Sequence, residues 1–318
     1  MKRLWAAGLV TGGGLLLGGA GWYMHSYALS RRNRTMLKQA EGKSSAAVEE
    51  MNEQSRRDYE WALSLKPESL EITSYDGLQL RGKLLRAKNP THRTVILAHG
   101  YRAEVGLRDM ASLAKMYHEE FGFHVLCPDN RAHGASEGNI IGFGWTDRKD
   151  YLDWIDVIIQ QDKQAEIMLH GVSMGGSIVL AVSGEALPDQ VRGIVSDCAF
   201  TSMHDQLAHQ LKQAFGLPPF PLMPAASLIN KWYAGHFFKE ASALKQVKKA
   251  EVPILYIHGK EDYYVPTDMV YRLYERTNAE KHLYIVDAAG HGQAFSQNKQ
   301  AYQKHVEDFI KKQLNKTT

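Results

Sequence analysis

Glu166-Ile167-Met168-Leu169-His170-Gly171-Val172-Ser173-Met174-Gly175-Gly176-Ser177-Ile178-Val179-Leu180-Ala181-Val182 is the stretch on which the reading of the chain turns. Its first five residues read as a buried strand and its last six as a buried helix. Between them lies G-x-S-x-G, the pattern of a strained strand-to-helix turn that lifts a serine Oγ above a sheet edge. The glycine spacing has a steric cause: Gly171 and Gly175 stand two residues either side of Ser173, where the turn brings backbones together and a Cβ would clash. Ser173 also falls at a helix start, whose first N–H groups have no intrahelical acceptor and can face an oxyanion. A glycine-rich turn with an incidental serine is the plainer reading, and the flanking strand and helix argue against it.

Outward from this turn the chain alternates strands and helices. Upstream, Leu70–Tyr75 and Leu78–Leu85 alternate at period two around Asp76-Gly77, a hairpin signal because glycine accepts the positive φ of the turn. Thr94–Ala98 and His124–Cys127 are apolar strand-like runs. A helix between them is marked by Leu107, Met110, Leu113, Ala114 and Tyr117, and a second one follows with Tyr151, Trp154, Ile155, Ile158 and Ile159 on one face. Downstream come strands at Val191–Val195, Ile254–Ile257 and His282–Val286, then a helix carrying Tyr302, His305, Val306, Phe309 and Ile310. Such alternation predicts the α/β class, with a mostly parallel central sheet covered by helices on both faces. The rhythm breaks at about 201–245. Leu207, Leu211 and Phe215 at helical spacing precede four prolines around Phe220, then Trp232, Tyr233, Phe237 and Phe238, which reads as a small helical cap.

The chain's 318 residues, 44% of them hydrophobic, suffice for one large domain with an insertion and an N-terminal appendage. A net charge of +3 is spread among nearly equal numbers of acids and bases, which leaves no nucleic-acid footprint. Cys127 and Cys198 sit in apolar runs and read as small core residues. The 14 histidines are mostly isolated, with no metal-ligand cluster. From Leu4 to about Leu29 there is no Asp, Glu, Lys or Arg, a run long enough to span a bilayer, with Trp5, Trp22, Tyr23 and Tyr27 where interfacial aromatics would lie. Residues 1–34 are therefore predicted to be a single-pass membrane anchor. A cleaved signal peptide ending near Ser26-Tyr27-Ala28 is the alternative, opposed by the bulky Trp22 and Tyr23. Basic residues flank both ends of the run, so charge does not fix its orientation. Residues 35–66 read as a stalk and docking helix closed by Pro67, and 67–318 as the main domain.

From about residue 70 to its end the chain resembles the α/β-hydrolase superfamily, and within it membrane-anchored bacterial serine hydrolases of the esterase, lipase and S33-peptidase-like branch. In that fold the order is nucleophile, acid, histidine. Ser173 matches the nucleophile. The loop His258-Gly259-Lys260-Glu261-Asp262-Tyr263-Tyr264-Val265-Pro266 is similar to the acid loop, which implies Asp262 as the acid, and Ala289-Gly290-His291-Gly292 to the histidine loop, which implies His291 as the base. His99-Gly100-Tyr101 resembles the loop whose backbone N–H completes an oxyanion hole with that of Met174. Resemblance to anchored hydrolases further implies a catalytic domain outside the cytoplasm.

The chemistry requires these residue types: a neutral serine needs an imidazole to take its proton, and the imidazole needs a carboxylate to fix its tautomer and stabilise its charge. Glu261 and Asp197 are rival acids, and Asp287 lies too close to His291 along its own loop. His99 and His258 read as buried hydrogen-bonding residues, with Arg131 and His133 bracing a neighbouring loop. The expected function is hydrolysis of carboxylic esters, with thioesters or amides as variants, through an acyl-enzyme. An S33-like peptidase is the alternative within enzymes, and a non-catalytic receptor or scaffold the alternative outside them. Dehalogenase chemistry would need Asp at the turn, and dienelactone chemistry Cys. Phe215, Phe220, Trp232, Phe237 and Phe238 are expected to line an apolar substrate pocket. No cofactor or metal is implied, and the expected partners are a small ester and, through residues 1–34, a membrane.

Overall fold

A computed structural model describes residues 18–31, 46–101 and 103–315. Its centre is an eight-stranded sheet in the order β1-β2-β4-β3-β5-β6-β7-β8. The strands are β1 (Glu68–Thr73), β2 (Gln79–Leu85), β3 (Arg93–Ala98), β4 (His124–Pro128), β5 (Glu166–Val172), β6 (Val191–Asp197), β7 (Ile254–Gly259) and β8 (Lys281–Val286). The predicted hairpin forms, with Gly77 at φ 86° and β1 antiparallel to β2; β2 is antiparallel to β4, and every pairing from β4 to β8 is parallel. Burial follows from this topology. β3 and β5 carry near-continuous apolar runs because helices cover both their faces, whereas β2 alternates.

The helices are α1 (residues 18–29), α2 (Ala46–Ser64), α3 (Gly106–Asp109), α4 (Ala111–Lys115), α5 (Asp147–Gln161), α6 (Met174–Val182), α7 (Met203–Phe215), α8 (Leu222–Ala234), α9 (Ala243–Gln246), α10 (Asp268–Arg276), α11 (Ala294–Gln297) and α12 (Lys299–Leu314). One sheet face packs on α5, α6 and the cap through Trp154, Ile155, Ile178 and Leu180. The other packs on α3, α4 and α12 through Leu107, Tyr117, Tyr302 and Phe309. Deep in that second layer His170 lies between the Tyr117 and Tyr302 hydroxyls, each 3.0 Å away, and burial lowers its pKa to about 3, so it stays neutral. The docking helix expected before Pro67 is α2. Its Asp58 accepts from Ser112 Oγ at 2.7 Å and Lys115 Nζ at 3.0 Å, while Trp61 meets the His118 ring edge-on. The remainder of the expected stalk, residues 35–45, lies outside the described residues, as do residues 32–34 of the expected anchor.

In the segment read as a cap, between β6 and β7, lie α7 and α8. Ser202 caps α7 by accepting from Asp205 N at 3.0 Å, and Gly216 and Gly235 end α7 and α8 in the left-handed conformation.

The expected membrane span is corrected. Among the described residues no helix is long and apolar enough to cross a membrane. Residues 1–17 of the expected anchor lie outside the described residues, and residues 18–31 lie against the domain. Leu29 is fully buried, Ser30 bridges to Ile140, and the Arg31 guanidinium donates to the carbonyls of Ser136 at 2.7 Å and Gly134 at 2.6 Å. Within this segment Gly21, His25 and Leu29 are buried against protein, whereas Trp22 and Tyr23 are exposed.

Candidate active site

The parallel strands end on one edge, with Ala98 of β3 beside Gly171 of β5 and Val172 beside Asp197 of β6. The chain turns from β3 to β4 on one side and then to β5 on the other, so the crevice for a ligand opens above the ends of β3 and β5. Ser173 sits there, between β5 and α6, at φ 59° and ψ −117°. The glycines around it are sterically required. A Cβ on Gly171 would lie 2.1 Å from Gly175 O, and one on Gly175 would lie 1.8 Å from Ala98 O.

Two loops from neighbouring strand ends reach the serine. His291, from the loop after β8, places Nε2 2.8 Å from Ser173 Oγ and Nδ1 2.7 Å from Asp262 Oδ2. Asp262, from the loop after β7, is itself fully supported: Oδ1 accepts from Tyr264 N at 3.0 Å and Val265 N at 2.8 Å, and His258 Nε2 lies 3.3 Å from Oδ2. Burial alone would raise this carboxyl. The hydrogen bonds from His258 and His291, the nearby imidazole charge and the Val265 N–H outweigh it and hold the pKa at about 2. Asp262 is thus an anion facing Nδ1, which leaves Nε2 free to accept the serine proton. The Tyr264 ring packs 4.8 Å from that of His291 and limits its rotation.

The rival acids sit elsewhere. Asp197 ends β6 and accepts from the Tyr302 hydroxyl at 3.0 Å; burial raises its pKa to about 6 despite that bond. Glu261 is exposed, and Asp287 pairs with Lys260 at the surface. His99 and His258 are fully buried, His99 accepting from Asn130 N at 2.9 Å and His258 meeting Val265 O at 2.9 Å. Arg131 bridges Asp76 and Asp150, and His133 Nε2 lies 3.1 Å from Tyr101 O, which holds the loop carrying Tyr101. Among the described residues Cys198, Asp262 and His291 could present three ligand atoms to a metal. Two of these, Asp262 and His291, are already hydrogen-bonded to each other, and burial together with Asp197 and Asp262 keeps the Cys198 thiol protonated.

Above Ser173 opens a cavity of about 340 Å³. Of the cap aromatics expected to line it, Phe215 and Phe238 do; Phe220, Trp232 and Phe237 are not among its lining residues and are 76%, 87% and 40% exposed. The reason is that a helical cap has an outer side as well as an inner one. The α8 positions that are buried are Met223, Ala226 and Asn230, and Trp232 falls outside that stripe. Sequence reasoning missed Phe143 and Phe200, which reach the cavity from loops without periodicity, and Tyr23, Met24 and Tyr27 from α1.

This sheet, with serine, acid and histidine on the loops after β5, β7 and β8, is that of the α/β-hydrolase superfamily. The sequence profile of the prolyl oligopeptidase family matches residues 143–317, and the chain belongs to that family. With a serine at the elbow it is a serine hydrolase. It is 31% identical over 241 residues to protein YqkD of Bacillus subtilis, covering 75% of this chain and 77% of that one. With YfhR of Escherichia coli K12 it shares 27% over 256 residues, 78% and 82% of the two chains. Among solved structures the Pyrococcus furiosus esterase Pf2001 superposes with a TM-score of 0.65 at 23% identity, over 79% of this chain and 92% of that one. The Pyrococcus horikoshii acylaminoacyl peptidase gives 0.58 at 19%, over 79% and 42%. At such identities these two likenesses concern the fold.

Proposed function

We propose that the protein is a carboxylesterase acting on small to medium apolar acyl esters through a Ser173, His291 and Asp262 triad. The observation that carries the proposal is a hydrogen-bonded serine, imidazole and carboxylate at the floor of a cavity whose described lining residues include no Asp, Glu, Lys or Arg. His291 takes the Ser173 proton as Oγ attacks the ester carbonyl, and Asp262 stabilises the imidazolium. The backbone N–H groups of Tyr101 and Met174 receive the oxyanion, each contributing about 3 kcal/mol. Collapse expels the alcohol, protonated by His291, and leaves an acyl-serine; a water activated by the same imidazole then releases the acid.

The apolar walls set the substrate class. Each added methylene that reaches them contributes up to about 0.8 kcal/mol, close to fourfold in kcat/KM, until the cavity is full. Family membership favours a second reading, a peptidase. A peptidase that selects a free amino terminus needs an anion near the site, whereas Gln206, Gln210 and tyrosines supply the polar side chains of the described wall besides Ser173. Peptides, if cleaved, are therefore ones with a blocked amino terminus. The test is labelling by a fluorophosphonate followed by p-nitrophenyl esters from acetyl to dodecanoyl. The expected profile rises towards butyryl or longer and then falls. Aminopeptidase activity exceeding ester hydrolysis would overturn the esterase reading.

A further inference from the structure

Ala20, Tyr23, Met24, Tyr27 and Ala28 all line the cavity above Ser173. Their spacing is i, i+3, i+4, i+7, i+8, a single face of α1. A second face of the helix meets the cap. A Cβ on Gly21 would lie 2.9 Å from Ala225 Cβ, His25 Nε2 lies 3.3 Å from Asn230 Oδ1, and the His25 ring stacks on Tyr233. The segment is tied at its end as well: Ile141 N donates to Leu29 O, and Arg31 N donates to Asn139 O. Two contacts connect it to the rest of the site. Tyr27 packs edge-on against Phe215 of α7, and the Tyr101 hydroxyl donates to Ala28 O at 2.6 Å.

We infer that residues 18–31 are a strap completing the acyl pocket, and that Met24 and Tyr27 set the length of acyl chain the pocket accepts. The physical ground is that the cap supplies walls through α7 and α8 but leaves a side that α1 fills with thioether and aromatic surface. An acyl chain leaving Ser173 therefore meets the strap before it meets solvent. The Tyr101 bond adds a link, because the residue proposed to donate to the oxyanion is held by the strap through its own side chain. The inference takes its substrate from the esterase reading, and its geometry is independent of it.

The experiment uses the full chain and four proteins: wild type, Met24→Ala, Gly21→Leu and, as control, Trp22→Ala, whose side chain is 53% exposed and does not line the cavity. Two readouts are taken, the ratio of octanoyl to acetyl kcat/KM on p-nitrophenyl esters and the Kd for dodecanoic acid by calorimetry. Met24→Ala opens the wall, so the optimum moves to longer esters and the octanoyl to acetyl ratio rises about threefold or more. Gly21→Leu forces the strap off Ala225, so that ratio falls about tenfold and the fatty acid binds correspondingly more weakly. Trp22→Ala changes neither. A shifted Kd in a protein that hydrolyses no ester would overturn the esterase reading and leave the strap standing. Ester hydrolysis with the same ratio and Kd in all four proteins would overturn the strap and leave the esterase reading standing. Absence of fatty-acid binding with no change in ratio also overturns it, and Met24→Ala keeps the test decisive if Gly21→Leu does not fold.

Discussion

The floor and the roof of the pocket are built differently. The floor comes from strand ends: Ser173 follows β5, Asp262 follows β7 and His291 follows β8, each fixed by a parallel ladder, with Met174 and Asp262 buried beneath. The roof comes from α7, α8 and the strap, none of which is a strand of the sheet, and it exposes Phe220, Leu228 and Trp232 on its outer side. Atoms that react must be placed to fractions of an ångström, and a sheet edge does that; walls that only exclude water and bury methylenes tolerate a looser frame. Floor variants should therefore lose rate, and roof variants should change preference.

The largest effect is expected at Ser173. Replacing it with Ala removes the nucleophile, so kcat/KM on esters should fall by about 10⁵-fold or more and fluorophosphonate labelling should vanish, with the melting temperature close to that of the parent. Appreciable turnover in that variant would end the proposed mechanism.

The next effect compares two buried aspartates of the floor. Asp262→Asn deprives His291 of its anion and should lower kcat by about 10³- to 10⁴-fold. Asp197→Asn, at the end of the intervening strand β6 and bonded to Tyr302 rather than to His291, should lower it less than tenfold; the reverse order would move the acid to β6.

Stability against pH sharpens the same pair, because their shifts have opposite signs. Asp197 is raised to about 6, so the folded state holds its proton more tightly than the unfolded chain does. Folding is favoured by that proton at low pH, and the advantage is lost as pH rises from about 4 to about 6. Asp262, held at about 2, contributes stability that is complete above about pH 4 and is lost as pH falls towards 2. Unfolding free energies of wild type and Asp197→Asn from urea titrations should therefore differ by an amount that changes by about 2–3 kcal/mol between pH 4 and pH 7, the variant gaining relative to wild type at pH 7. A constant difference across that range would show that Asp197 is not a buried anion.

The smallest effects belong to the roof. Phe215→Ala, which removes a ring that lines the cavity against Tyr27, should lower kcat/KM for octanoyl esters about three- to tenfold and for acetyl esters less. Trp232→Ala, on the outer side, should leave the whole chain-length profile within about twofold of wild type.

The same division explains what the sequence disclosed. The geometry of the floor was legible because the chemistry proposed for it demands particular residues at particular places: two glycines around Ser173, an aspartate after β7, a histidine after β8. The sheet was legible for a related reason, since burial on both faces leaves continuous apolar runs such as Ile167–Leu169. The roof was not legible. Hydropathy registers an apolar run over residues 18–29 without saying what packs against it, and Gly21 and His25, which fit Ala225 and Asn230, mark where protein does. The cap aromatics show the same gap, because composition cannot tell the inner side of α8 from the outer one. Helix α10 escaped notice although Met269, Val270 and Leu273 form its buried stripe, since it lies in a polar stretch between two loops.

The backbone at Ser173 bears on how the enzyme can be changed. At φ 59° and ψ −117° a side-chain-bearing residue occupies a conformation that costs on the order of 1–3 kcal/mol. Glycine at this position would relax the turn, so Ser173→Gly should melt at a higher temperature than wild type while being inert. Selection for robustness alone would discard the serine. A screen for thermal tolerance run without an activity gate would therefore favour glycine at position 173, and with it the loss of the proposed nucleophile.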